Sequence, residues 1–319
     1  MLRREADGVA WWLSTHRIPA RTLGMWWTAR TPRVEIPRRL PEIVEILRET
    51  VAELGVRLAP SSLHAGVSGR TSVEVEFSDA GFAHIAELFD REYGGRLVLE
   101  LAASTADGRP RTLSLTFFGR HDEVWNGTVR PQSAVGVGWC DDESPDVDEH
   151  AEAWTEALAR ITAACAADWG CVSLDHWSLE APPYDYYYTH RDRGESGAGR
   201  HPRGYYWANV LNPDHVELLG GVRELEQRAH AAGIAVRELG GGDGPPYYLL
   251  RDPGPISAFT DDRLTAMRDL LEASLLEPEY AWYAGPPLRV LNQHGTAFAP
   301  IPAGVRRPVF DDDESWDDE

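Results

Sequence analysis

Residues 204–221 read GYYWANVLNPDHVELLGG. The aromatic run 204–211 suits a strand on a pleated, half-buried surface. Asn212 can cap a helix whose first position is Pro213, where a missing N–H costs nothing. Gly220 and Gly221 stop that helix, because glycine enters the left-handed region without a steric cost. A second helix is expected over 222–232, then a strand over 234–239, a turn at 240–244 and a strand over 247–251. Thr260 caps a final helix. Asp261 and Asp262 suit the positive end of its dipole, and Leu264, Met267, Leu270, Leu271 and Leu275 form its apolar stripe. Strands and helices that mix without a βαβ repeat define the α+β class: two layers, with a mostly antiparallel sheet packed against helices.

Toward the N-terminus the same signals recur. A strand is expected near 24–29, within a Trp-rich stretch that holds Trp11, Trp12, Trp26 and Trp27; these indoles read as core. Pro37 and Pro41 open a helix to about Leu54, with Ile43, Ile46, Leu47 and Val51 at helical spacing and Gly55 after it. SVEVEF at 72–77 alternates as a strand exposed on one face. A helix follows, capped by Ser78 or Asp79, with Phe82, Ile85, Ala86 and Phe89 facing inward. Segments 96–103 and 111–118 form a strand pair around Asp107-Gly108, a hairpin-type turn. Further strands are expected near 123–129 and 134–139, a long helix over 148–169, and a short buried strand over 171–174. The chain thus divides into an N-terminal α+β half (1–177), a loop (178–203), a C-terminal α+β half (204–310) and an acidic tail (311–319).

Composition narrows the partners. The chain has 319 residues, 43% of them hydrophobic, which is enough for one large core or two smaller ones. All 31 basic residues are Arg, and the formal net charge is −20. Such a field keeps a protein soluble, repels nucleic acid and anionic membranes, and attracts cationic partners. Neither nucleic acid nor membrane is therefore expected as a partner. The N-terminus has no apolar core of a signal peptide, and no stretch approaches the roughly 18 apolar residues of a membrane span. A cytoplasmic location is expected. The three cysteines, Cys140, Cys165 and Cys171, form neither a disulfide framework nor a C-x-x-C zinc pair, which suits a reducing compartment.

Motifs for chemistry are sparse. GGGDG at 240–244 follows a strand, but it lacks the order and the trailing helix of a phosphate loop. No G-x-S-x-G occurs, so there is no nucleophile elbow. Cys140 sits beside Asp141, Asp142 and Glu143, whose charges disfavour a thiolate. Asp175, His176, Asp185, His190, Asp192 and His201 crowd one region and could hold a divalent metal, though their spacing matches no known ligand pattern. The most specific local feature is the tyrosine cluster Tyr184, Tyr186, Tyr187 and Tyr188 around Asp185. These rings either staple the loop to the core or offer the rigid, amphipathic area that interfaces use. With the acidic run Asp141, Asp142 and Glu143 they form the candidate partner-binding set. No catalytic residue, metal or cofactor is assigned.

From Gly204 onward the order of elements resembles the C-terminal half of the immunity proteins that neutralise type VI-secreted and other polymorphic bacterial toxins. The resemblance covers GYYWANVL, NPDHVELLGG, AGIAVREL, YYLL and FTDDRL, about residues 204–276. It implies an α+β scaffold that binds a cognate toxin domain and occludes its active site. It transfers no catalytic residues. This chain departs from the family pattern in its 178–203 loop and its acidic, Pro-rich C-terminus. Two other readings stand beside this one: a metal-dependent hydrolase using the Asp/His region at 175–201, and a structural or adaptor subunit.

Overall fold

A computed structural model describes residues 22–29, 36–67, 73–76, 78–91, 96–105, 110–121, 124–133, 146–165, 167–175, 201–202, 205–240 and 246–275. The N-terminal elements are β1 (Thr22–Ala29), α1 (Ile36–Glu53), β2 (Val56–Val67), β3 (Val73–Glu76), α2 (Asp79–Arg91), β4 (Arg96–Thr105), β5 (Pro110–His121), β6 (Val124–Ser133), α3 (Val147–Cys165) and β7 (Ala167–Asp175). They are followed by β8 (Ala208–Leu211), α4 (Pro213–Leu218), α5 (Val222–Ala232), β9 (Ala235–Leu239), β10 (Tyr247–Arg251) and α6 (Asp261–Leu271). The protein is α+β. Its strands form one ten-stranded sheet in the order β3-β2-β4-β5-β6-β1-β7-β8-β10-β9. Every pairing in it is antiparallel.

The two sequence halves share this sheet. β7 pairs with β8 from Trp169↔Leu211 to Val172↔Ala208, so the backbone ladder runs through the junction. Alternation along these strands sorts two cores onto opposite faces. Val172, Leu174, Ala208, Val210 and Leu249 join the core built with α1 and α3 (Leu47, Trp154, Leu158, Ile161). Trp169, Cys171, Leu211, Tyr248 and Leu250 join the core built with α4, α5 and α6 (Val216, Leu225, Leu264, Met267, Leu271). The sheet is therefore covered on both faces around β7, β8 and β10, which adds a third layer at that end.

Local signals explain the helices. Asn212 accepts a hydrogen bond from the His215 backbone N–H at 2.9 Å, and its own N–H donates to His215 Nδ1 at 3.4 Å. That reciprocal pair is a capping box in which histidine takes the usual Glu or Gln position. Gly233 closes α5 at φ 64°, and the Ile234 N–H reaches back to the Ala229 carbonyl at 2.8 Å. Thr260 caps α6 through its hydroxyl, which accepts from the Arg263 N–H. Gly55 follows α1 at φ 71°.

Four expectations change. The long helix ends at Cys165, not near 169, and β7 starts at Ala167 and is longer than the short strand expected. The decisive interaction is non-local: Ala167 pairs with Ala29 and Trp169 with Thr28, which draws an apolar run of either helical or extended potential into the sheet. β2 was not foreseen at all. Pro60 and neighbouring serines suggest a loop, but a register shift between Leu58 and Leu63 forms a bulge that accommodates a residue without an N–H. The aromatic strand begins at Ala208 rather than Gly204. Asn209, fully buried, donates to the Tyr206 carbonyl at 2.7 Å and accepts from the Tyr206 N–H at 3.0 Å. Its amide thus replaces a neighbouring strand for Tyr206. Finally, Leu275 is only partly buried, whereas Leu264, Met267, Leu270 and Leu271 are buried as expected. The strand expected near 134–139, the tail 311–319 and nearly all of the 178–203 loop lie outside the described residues.

Candidate functional site

β1 pairs antiparallel with both β6 and β7, so β6 and β7 run in the same direction. Met25 marks the level: it faces Val129 on one side and Val172 on the other. Both strands therefore finish at the end of the sheet where β1 starts. Two stretches of sequence follow, one after Ser133 at the end of β6 and one after Asp175 at the end of β7. The first carries Asp141, Asp142 and Glu143; the second carries Tyr184, Asp185, Tyr186, Tyr187 and Tyr188. All eight residues lie outside the described residues, but topology brings the departure points of both segments to one end of the sheet. α3 ends one residue before β7 begins and packs along it, so the start of α3 lies at this end.

The described residues here carry acidic charge. Asp146, Asp148 and Glu149 open α3, and the exposed Glu152 and Glu156 follow on successive turns. Asp148 is engaged by Ser257, whose backbone N–H and hydroxyl both donate to its carboxylate at 2.9 Å. Glu152 pairs with Arg251, whose guanidinium also lies 5.5 Å from the centre of the Trp207 ring. Glu156 pairs with Arg237 at 2.7 Å. Between α3 and the β9–β10 hairpin, Thr155, Glu156, Arg237 and Arg251 border an open cleft of about 230 Å³, with Leu249 and Ala235 as its apolar part. Each arginine of the cleft already has a carboxylate partner. Thr155 donates its hydroxyl to the Ala151 carbonyl at 2.7 Å. The cleft thus offers neither an uncompensated cation nor a nucleophile paired with a base.

Three histidines, His150, His201 and His215, and the cysteines Cys165 and Cys171 are tied to structure. His201 Nδ1 lies 2.9 Å from the Ser274 carbonyl, so that nitrogen carries the proton and donates it. This bond fastens the far end of the 178–203 loop to the turn that follows α6. His215 serves the α4 cap. Burial pushes the His150 imidazole below its usual value, against the opposing pull of Asp146 and Glu149. Burial likewise pushes the Cys165 thiol up to about 12. Cys165 and Cys171 belong to cores on opposite faces of the sheet. Of the Asp/His set considered for a metal, His176, Asp185, His190 and Asp192 lie outside the described residues. Among the described residues, no three His, Cys, Asp or Glu side chains converge.

Two features of this half carried no signal in the sequence. Asp252 is buried, pairs with Arg263 and accepts from the Gly254 N–H at 2.8 Å. Arg263 then donates to the Ala232 and Gly233 carbonyls at 2.9 and 2.8 Å, satisfying the open end of α5. The other is a pair of exposed aliphatic residues, Leu218 and Val222, on either side of the paired glycines. Among the described residues, no helix is long and apolar enough to cross a membrane. No known protein family, curated protein or solved structure matches the chain.

Proposed function

We propose that this protein is an immunity-type protein of the cytoplasm, which binds a cognate bacterial toxin domain and occludes its active site. The observation that carries this reading is how the 204–276 stretch is used. Its residues Tyr205, Tyr206, Trp207, Val210, Leu211, Leu225, Leu250, Leu264 and Met267 are buried, and its polar signature residues Asn209, Asn212 and His215 hold backbone groups. The motif behind the resemblance is therefore a scaffold, with the partner-specific chemistry left to the surface. Aromatic and acidic segments that follow β6 and β7 in the sequence suit that division. Aromatic anchors supply affinity, and the acidic field supplies association rate toward a cationic partner. Tyr184, Asp185, Tyr186, Tyr187, Tyr188, Asp141, Asp142 and Glu143 are the proposed contact set. Neither a cofactor nor nucleic acid takes part.

The test is binding of the full chain to the toxin domain encoded beside its gene. Truncating Tyr186 and Tyr187 to Ala is expected to weaken binding by more than about 1 kcal/mol each. Neutralising Asp141, Asp142 and Glu143 slows association, and the loss shrinks at high salt. Absence of any complex, together with turnover of a small substrate that depends on His176 or His190, would replace this reading with a hydrolase.

A further inference from the structure

Among the described residues, the exposed large hydrophobics are Leu218, at 42% exposure, and Val222, at 38%. Single exposed hydrophobics scattered over a surface are ordinary. These two are not scattered. They bracket one tight turn, in which Gly220 and Gly221 take φ values of 93° and 90°. Gly220 N–H bonds to the Glu217 carbonyl at 2.9 Å, and Gly221 N–H to the Val216 carbonyl at 2.8 Å, so the turn is rigidly closed. Leu219, between them, is 2% exposed and serves the core. The fold therefore uses one leucine of the pair 218–219 and leaves the other in water. Val222 is likewise not needed by the helix it starts, since a β-branched residue is a weak helix former.

Beside this knuckle Glu217 and Glu224 are exposed together with Arg223, which adjoins Val222, so acid outnumbers base there and across the chain as a whole. Glu217 and Glu224 are exposed and make no ion pair among the described residues. A Cβ built on Gly220 would lie 3.1 Å from the Glu224 Cγ, so the Glu224 stem lies against the turn. Charge selects among occupants. A second copy would bring Glu217 and Glu224 toward their counterparts, and a net −20 against −20. Nucleic acid and anionic membranes are repelled by the same field. A cationic protein surface is attracted by it.

We propose that the knuckle from Leu218 to Val222 is a docking knob for a protein that presents an apolar pocket ringed by basic side chains. This rests on the function proposed above, under which that protein is the toxin domain. It adds a second contact area on the α4–α5 layer, apart from the segments that follow β6 and β7. Leu218 and Val222 fill the pocket, and Glu217 and Glu224 meet its rim.

The experiment measures binding kinetics of the full-length chain with the toxin domain encoded beside its gene, at two salt concentrations. Both apolar positions are exposed, so Leu218→Ser with Val222→Ser keeps the melting temperature while dissociation accelerates and Kd rises by more than about tenfold. Glu217→Gln with Glu224→Gln slows association at low salt, and the difference closes at high salt. A toxin bound by the unmodified chain with Kd and rates that neither double variant changes overturns the knob and leaves the immunity reading standing. No complex with the unmodified chain overturns the immunity reading, and the knob falls with it. A dimer seen by light scattering that Leu218→Ser with Val222→Ser dissociates gives the surface to a second copy, which also overturns the proposal.

Discussion

β3 and β8 are each four residues long, and they lie in very different surroundings. β3 reads VEVE at the edge of the sheet: Val75 is buried while Glu74 and Glu76 are exposed. β8 reads ANVL between β7 and β10, and all four of its residues are buried. An edge strand with one solvated face shows its burial as alternation. A strand covered on both faces loses that signature and reads as a plain apolar run. The difference is also energetic. At β3 every second position can change with little consequence. Around β8, one face packs against α3 and the other against the α4–α6 layer, so no position is free.

The sharpest way to break this comparison is a charge inside the doubly covered region. Leu271 is fully buried on α6 against the sheet. Leu271→Asp is expected to cost about 4 kcal/mol or more, since it combines lost burial with an unpaired charge, and to abolish or greatly lower the cooperative melting transition. Glu74→Val, on the solvated face of β3, stays within about 0.5 kcal/mol. Equal melting shifts for the two would mean that the layers have been misassigned. A smaller effect tests the Asn209 amide. Asn209→Ala strands the N–H and C=O of Tyr206, both inside the core, and is expected to cost about 1–3 kcal/mol in urea unfolding. A stability equal to that of the unmodified chain would show that Tyr206 finds other partners.

The mildest effect concerns α3, which packs against β1, β7 and β8. Burial lowers the His150 pKa from 6.5, more than Asp146 and Glu149 raise it. The unfolded state then binds more protons than the folded state in the window below the unfolded value. Stability from neutral His150 is complete above about pH 6.5 and declines as pH falls toward the folded pKa. His150→Phe is expected to flatten this part of the stability–pH curve. An unchanged slope between pH 7 and pH 5 would assign the acid sensitivity to other groups.

Much of the candidate surface was legible as composition but not as position. Tyr184 to Tyr188 and Asp141 to Glu143 stand out by residue type, yet only the shared antiparallel partner β1 brings Ser133 and Asp175, after which those segments come, to the same end of the sheet. Leu218 and Val222 gave no signal, because an aliphatic residue beside a helix end looks the same whether it faces core or water.

What the amino-acid order determined alone were features decided within a few turns of chain: the Asn212 and Thr260 caps, the glycines at 55, 220 and 221, and the positions 264, 267, 270 and 271 of the α6 stripe. Each depends on contacts between residues a few positions apart, so local chemistry suffices. Tertiary structure decided the rest. The insertion of β1 between β6 and β7 joins residues about 100 positions apart on the β6 side and about 140 to 150 apart on the β7 side. The conversion of 167–169 from helix to strand depends on that same β1, and Pro60 is tolerated in β2 because the bulge opposite β4 requires no donor there. The free energy that settles these choices resides in the partner strand, and a stretch of sequence read by itself does not contain its partner.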